Sequence, residues 1–144
     1  MTDAFAASRL AARIYENTLL SLCIVFEELV RPKYIAVHGP GQHTMKVLVT
    51  FLAQQTGLGL TGADLDAVRI ARNHDLDGTL KRLLLGRMPG VPSWRIEEDL
   101  KVMYALRDPA AHQIRPSSGS VVRFWSLSES ILRAIFFVTE RLYA

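Results

Sequence analysis

The sequence is poor in cysteine and in long apolar runs. Cys23 is the sole cysteine, so no internal disulfide can form and no cysteine-rich zinc site can be built. Its apolar setting in the run from Leu19 to Phe26 reads as that of a small buried hydrophobe. The most apolar stretch, Thr18 to Phe26, is far shorter than the roughly 18 to 20 residues of a spanning helix. It is flanked by Glu16 and by Glu27-Glu28 and lacks the basic start and cleavage site of an export signal. No membrane segment is therefore expected, and the expected location is cytoplasmic. His-Glu-x-x-His and Cys-x-x-Cys are both missing, and His38 and His43 stand five apart, poor geometry for one helix face. No metal and no cofactor are expected. Gly39-Pro-Gly-Gln-His-Thr44 lacks the Gly-Lys-Ser/Thr ending of a phosphate loop, and no Gly-x-Ser-x-Gly elbow supports a serine hydrolase.

What is present is ordinary globular material. Of 144 residues, 49% are apolar and 22% charged, which excludes a disordered or collagen-like chain. The length suits one domain, 1–144, able to bury a core without metal or disulfide support. The net charge of +3 is unevenly placed. Residues 1–68 balance to −1 and residues 69–144 to +4, with Arg107, Arg115, Arg123, Arg133 and Arg141 in the last stretch. Such a bias is compatible with a polyanionic partner.

The hydrophobic periods are helical nearly throughout. A first helix is predicted from about Asp3 to Val30, on Phe5, Leu10, Ile14, Leu22, Phe26 and Leu29. Pro32 should end it, and Tyr34-Ile-Ala-Val37 reads as a short extended piece in the turn-rich stretch after it. A second helix fits Thr44 to Gln55, broken by Gly57 and Gly59. Thr61-Gly-Ala-Asp64 reads as a capping box for a third, ending near Arg72. Asn73-His74-Asp75 should cap a fourth, running to about Leu85. Ser93 should open a fifth, carrying Ile96, Leu100 and Met103, with Glu97-Glu98-Asp99 in its first turn. After a polar loop from about Gln113 to Ser120, Ser126-Leu-Ser-Glu129 should open the last helix. Its apolar face would be Leu127, Ile131, Ile135, Val138 and Leu142. Asp64, Asp66, Asp75 and Asp77 fall near helix starts, where carboxylates cap free N–H groups. The expected fold is all-α, a bundle of about five or six helices around a four-helix core. Any strand would be confined to residues 34–38 or 113–123.

The stretch Leu106-Arg107-Asp108-Pro109-Ala110-Ala111-His112 departs from this plain pattern. At 100° per residue, Leu100, Met103 and Arg107 fall within about 40° of Ile96. Arg107 thus continues an apolar stripe and should sit in a seam between helices or subunits. Pro109 breaks the ladder there, and Asp108-Pro109 is a good N-cap and N1 pair for a new turn. His112 follows about one turn later. Arginine offers phosphate a fixed fork of donors, and histidine moves protons near neutral pH. RNA brings its own nucleophile, the 2′-OH, so such a pair can cut it without a metal.

These residues resemble the HEPN family (higher eukaryotes and prokaryotes nucleotide-binding). Its ribonuclease members carry Arg, then Asn, Asp or His, a few residues, and His. Arg107, Asp108 and His112 match in turn, late in a helical bundle and ahead of a C-terminal helix. The resemblance implies a HEPN-like bundle and a metal-independent endoribonuclease working as a homodimer, with two motifs facing each other. It further implies toxin–antitoxin, antiviral defence or CRISPR-associated systems, where a cognate antitoxin or regulatory partner occurs. Arg107 would bind the scissile phosphate, His112 transfer protons, Asp108 fix the geometry, and Arg115 hold a flanking phosphate of the RNA. Ile114 stands where one branch of the family carries a modified tyrosine, which argues against that mode of control. Arg69-Ile-Ala-Arg-Asn-His74 repeats the spacing but has Ile70 at the polar position, so Arg69 and His74 are expected to be incidental. The alternative is a non-catalytic HEPN-like module that binds a nucleotide or a protein partner, with Arg107 organising an interface.

Overall fold

The computed structural model describes residues 2–41, 43–85, 95–107 and 120–144. All its regular structure there is helical: α1 (Thr2–His38), α2 (Met45–Thr56), α3 (Gly62–His74), α4 (Leu76–Leu85), α5 (Ile96–Arg107) and α6 (Ser120–Leu142). The all-α expectation is met. The loop from Gly86 to Pro92, the Ser93 cap and residues 113–119 lie outside the described residues.

Local chemistry sets several boundaries. Thr44 caps α2, its hydroxyl accepting from the Val47 N–H at 3.3 Å. Gly57 closes α2 in the left-handed region at φ 73°, which a side chain would resist. The predicted capping box opens α3: Thr61 Oγ1 accepts from the Asp64 N–H, and the Asp64 carboxylate accepts from the Thr61 N–H. Asp75 joins α3 to α4 by accepting from the Gly78 N–H at 3.0 Å. His74 is therefore the last residue of α3 and does not open α4.

Two boundaries correct the sequence reading. α1 does not stop at Val30 but continues through Pro32 to His38, so residues 34–37 are helical rather than extended. Pro32 is exposed, so the carbonyl it leaves without a donor lies on the solvent side. On the opposite side, Val30 is buried and Tyr34 packs against Phe51 of α2, which holds the final turns in place. α6 begins by Ser120, not at Ser126, so Ser126 to Glu129 is helix interior. There Glu129 pairs with Arg133 instead of capping.

α5 is the hub, packing against α1, α2, α3, α4 and α6. Val102 to Leu106 are buried without interruption, so the second half of this helix is enclosed by its neighbours, while Glu97, Glu98, Lys101 and Arg107 are half-buried. Leu127, Ile131, Ile135 and Val138 bury the predicted face of α6, with Phe26, Val30, Leu48 and Leu52 completing the centre. Asp99 is fully buried in the first turn of α5 and accepts from Ser130 Oγ of α6 at 2.6 Å. α1 and α6 run parallel. Tyr15 stacks on Phe124 toward the start of both, and Tyr143 donates to the Leu29 carbonyl at 2.6 Å just past the end of α6. Leu10 and Ile14, expected in the core, are exposed instead.

Candidate functional site

Arg107 closes α5, and its place in a seam is as the stripe requires. Its Nε donates to Glu27 Oε1 of α1 at 2.6 Å, and the Arg107 side chain remains 29% exposed. Glu27 is buried and also faces Arg31 Nη2 at 3.5 Å. One carboxylate is thus shared by two guanidinium groups. The Arg107 Nη nitrogens have no partner among the described residues. Asp108, His112 and Arg115, the other residues expected at the site, lie outside the described residues.

Around Arg107 opens a cleft of about 530 Å³ between α1, α2, α3 and α5. Its walls carry Arg31, Lys46, Arg69, Arg72 and Arg107, with Glu27 as the only acidic side chain among the described lining residues. His43, Thr44, Met45 and Tyr104 complete that lining. Arg72 is buried, and its Nη1 donates at 3.4 Å to the Tyr104 carbonyl in the last turn of α5. This places a cation at the negative end of the α5 dipole, next to Arg107. Lys46 and Arg69 are drawn together by Asp66, at 2.9 and 3.6 Å. The hydrogen bond from Lys46 holds the Asp66 carboxyl below its ordinary range. A concentration of positive charge in an open cleft of this size suits an anion with several phosphates.

Of the second match to the motif spacing, Arg69 lines the cleft, whereas His74 is exposed and does not. The sequence does not single out Arg31, Lys46 or Arg72. Each is an ordinary basic residue in its own helix, and only the packing of four helices brings them together. The one local hint is the pair Arg69 and Arg72, three apart on one face of α3.

Cys23 lies close to the Arg107–Glu27 pair. It is fully buried, and burial pushes its thiol up to about 12, with the positive charge of Arg107 opposing that shift and the negative charge of Glu27 adding to it. It is not a nucleophile at neutral pH. Among the described residues no group of three or more potential ligands could hold a metal ion. No described helix is long and apolar enough to cross a membrane.

No family model, curated protein or solved structure matches the chain.

Proposed function

We propose that the chain is a HEPN-type, metal-independent endoribonuclease whose phosphate site is the cleft at Arg107. The observation that carries this reading is the gathering of five cationic side chains, the motif arginine among them, against two carboxylates, Glu27 shared by Arg31 and Arg107 and Asp66 shared by Lys46 and Arg69. Arg107, anchored through Nε, turns its remaining donors to the scissile phosphate and stabilises charge as it develops. Arg69, Arg72 and Lys46 hold neighbouring phosphates. The 2′-OH oxygen attacks phosphorus, the 5′-oxygen leaves, and His112 moves the proton between them, with Asp108 fixing the turn. Arg115 binds a flanking phosphate. The products are a 2′,3′-cyclic phosphate and a 5′-hydroxyl.

The working unit in this reading is a cytoplasmic homodimer, in a defence, toxin–antitoxin or CRISPR-associated setting with a regulatory partner. Trp125, Leu132 and Phe136 are exposed on α6, and Ile14 and Val25 are exposed on α1, the helix it packs against. A second copy of this pair of helices would cover that apolar surface.

RNA cleavage in EDTA tests the proposal. Wild type should cut RNA and spare DNA, which lacks the nucleophile. Arg107→Ala and His112→Ala should each lose roughly a hundredfold or more. Intact RNA with folded dimer, with the genomic partner removed and supplied in turn, would defeat it. The engagement of Arg107 Nε by Glu27 favours the second reading, a non-catalytic module. That reading predicts binding of RNA or nucleotide with no cutting by wild type.

A further inference from the structure

Beside the cleft, and joined to it through His43, lies an aromatic cluster that the phosphate chemistry does not use. Tyr34 packs against three other rings, 4.5 Å from His38, 4.3 Å from His43 and 5.3 Å from Phe51. Phe51 is buried and forms the floor, while His38 is exposed and Tyr34 half-buried. His43 belongs to both regions, since it packs on Tyr34 and lines the cleft with Arg31 and Arg107. The local sequence explains the arrangement. Tyr34 and His38 are one turn apart on α1, Gly39 reverses the chain at φ 85°, and Thr44 caps the next helix almost at once. The short connection places His43 over Tyr34. His43 Nε2 is shielded from solvent and has no hydrogen-bond partner.

We propose that Tyr34, His38 and His43 form a stacking platform for a nucleobase at the α1–α2 end of the cleft. The ligand would then be a single-stranded oligoribonucleotide, its backbone along Arg31, Arg107 and Arg72 and one base on the histidine rings. Stacking on an aromatic face tolerates any base and adds affinity separate from that of the phosphates. The inference rests on the reading of the cleft as a phosphate site.

Two probes separate the regions in the full-length protein: inorganic tripolyphosphate, and a 2′-O-methyl oligoribonucleotide that cannot be cut. His38→Ala and His43→Ala should each weaken oligonucleotide binding by roughly tenfold. Both should leave tripolyphosphate binding unchanged, and His38→Phe should retain the oligonucleotide affinity. Arg107→Ala should weaken both ligands. His38 is exposed, so its variants carry the test even where His43→Ala impairs folding. The platform is overturned if His38→Ala leaves oligonucleotide affinity unchanged, or weakens both ligands equally. Phosphate binding would survive the first of these results. Failure of wild type to bind tripolyphosphate would instead defeat the cleft reading, and the platform with it.

Discussion

Glu27 of α1 and Arg107 of α5 meet at 2.6 Å through the guanidinium Nε, with Arg31 on the other side of the same carboxylate. The pair ties the hub helix to α1 and fixes the plane of the motif arginine. Glu27→Ala should lower stability by about 2 kcal/mol, the scale of a hydrogen bond to a charged group, read by urea denaturation. Glu27→Gln keeps an acceptor and should lose less. A double-mutant cycle with Arg107→Ala should show coupling of about 1 kcal/mol, and strict additivity would mean that the pairing contributes nothing.

Arg69→Ala and Lys46→Ala should each weaken RNA binding and make it less sensitive to salt. The logarithmic salt slope should shrink by about 0.7 for each phosphate that is no longer neutralised, measured by titration across salt concentrations. Asp66→Asn should act in the opposite sense, since it removes the counter-charge that holds both cations. Unchanged affinity in all three would place the RNA elsewhere.

The outer face of α6 should hold the dimer. Leu132→Glu and Phe136→Lys, at exposed positions, should yield monomers by light scattering with the helical circular dichroism intact. If wild type is itself monomeric at micromolar concentration with and without RNA, the dimer proposal fails.

Cys23 should resist alkylation in the folded protein and react on unfolding. Its thiol is raised from an ordinary 9.0 to about 12 by burial, so the folded state keeps a proton that the unfolded state releases in alkaline solution. The sign follows: this group leaves stability untouched below pH 9.0 and lowers it as pH rises from there toward about 12. Denaturation midpoints of wild type and Cys23→Ala across that range should converge as pH rises. Rapid labelling of native protein at neutral pH would show that the core opens locally.

The elements legible in sequence are those fixed by neighbours in the chain. The Thr61–Asp64 capping box, the Gly57 stop and the apolar face from Leu127 to Val138 are of this kind. So is the seam position of Arg107, because helical phase alone places it. Pro32 misleads because its effect depends on which side of the helix it occupies, and Tyr34 on Phe51 holds the turns beyond it. Ser126 to Glu129 misleads because a capping box has no force once the helix has begun upstream. The cleft is hidden for a different reason. Its cations come from four helices, and their convergence is a property of packing that no local pattern records.

The packing of α5 against every other helix has a consequence for how the site responds to stress. A helix locked against all five others cannot fray alone, so its amides should exchange only when the whole molecule opens. The arginine at its end inherits that protection. Anion binding at Arg107 should therefore persist up to the global melting transition and vanish with it, in one step.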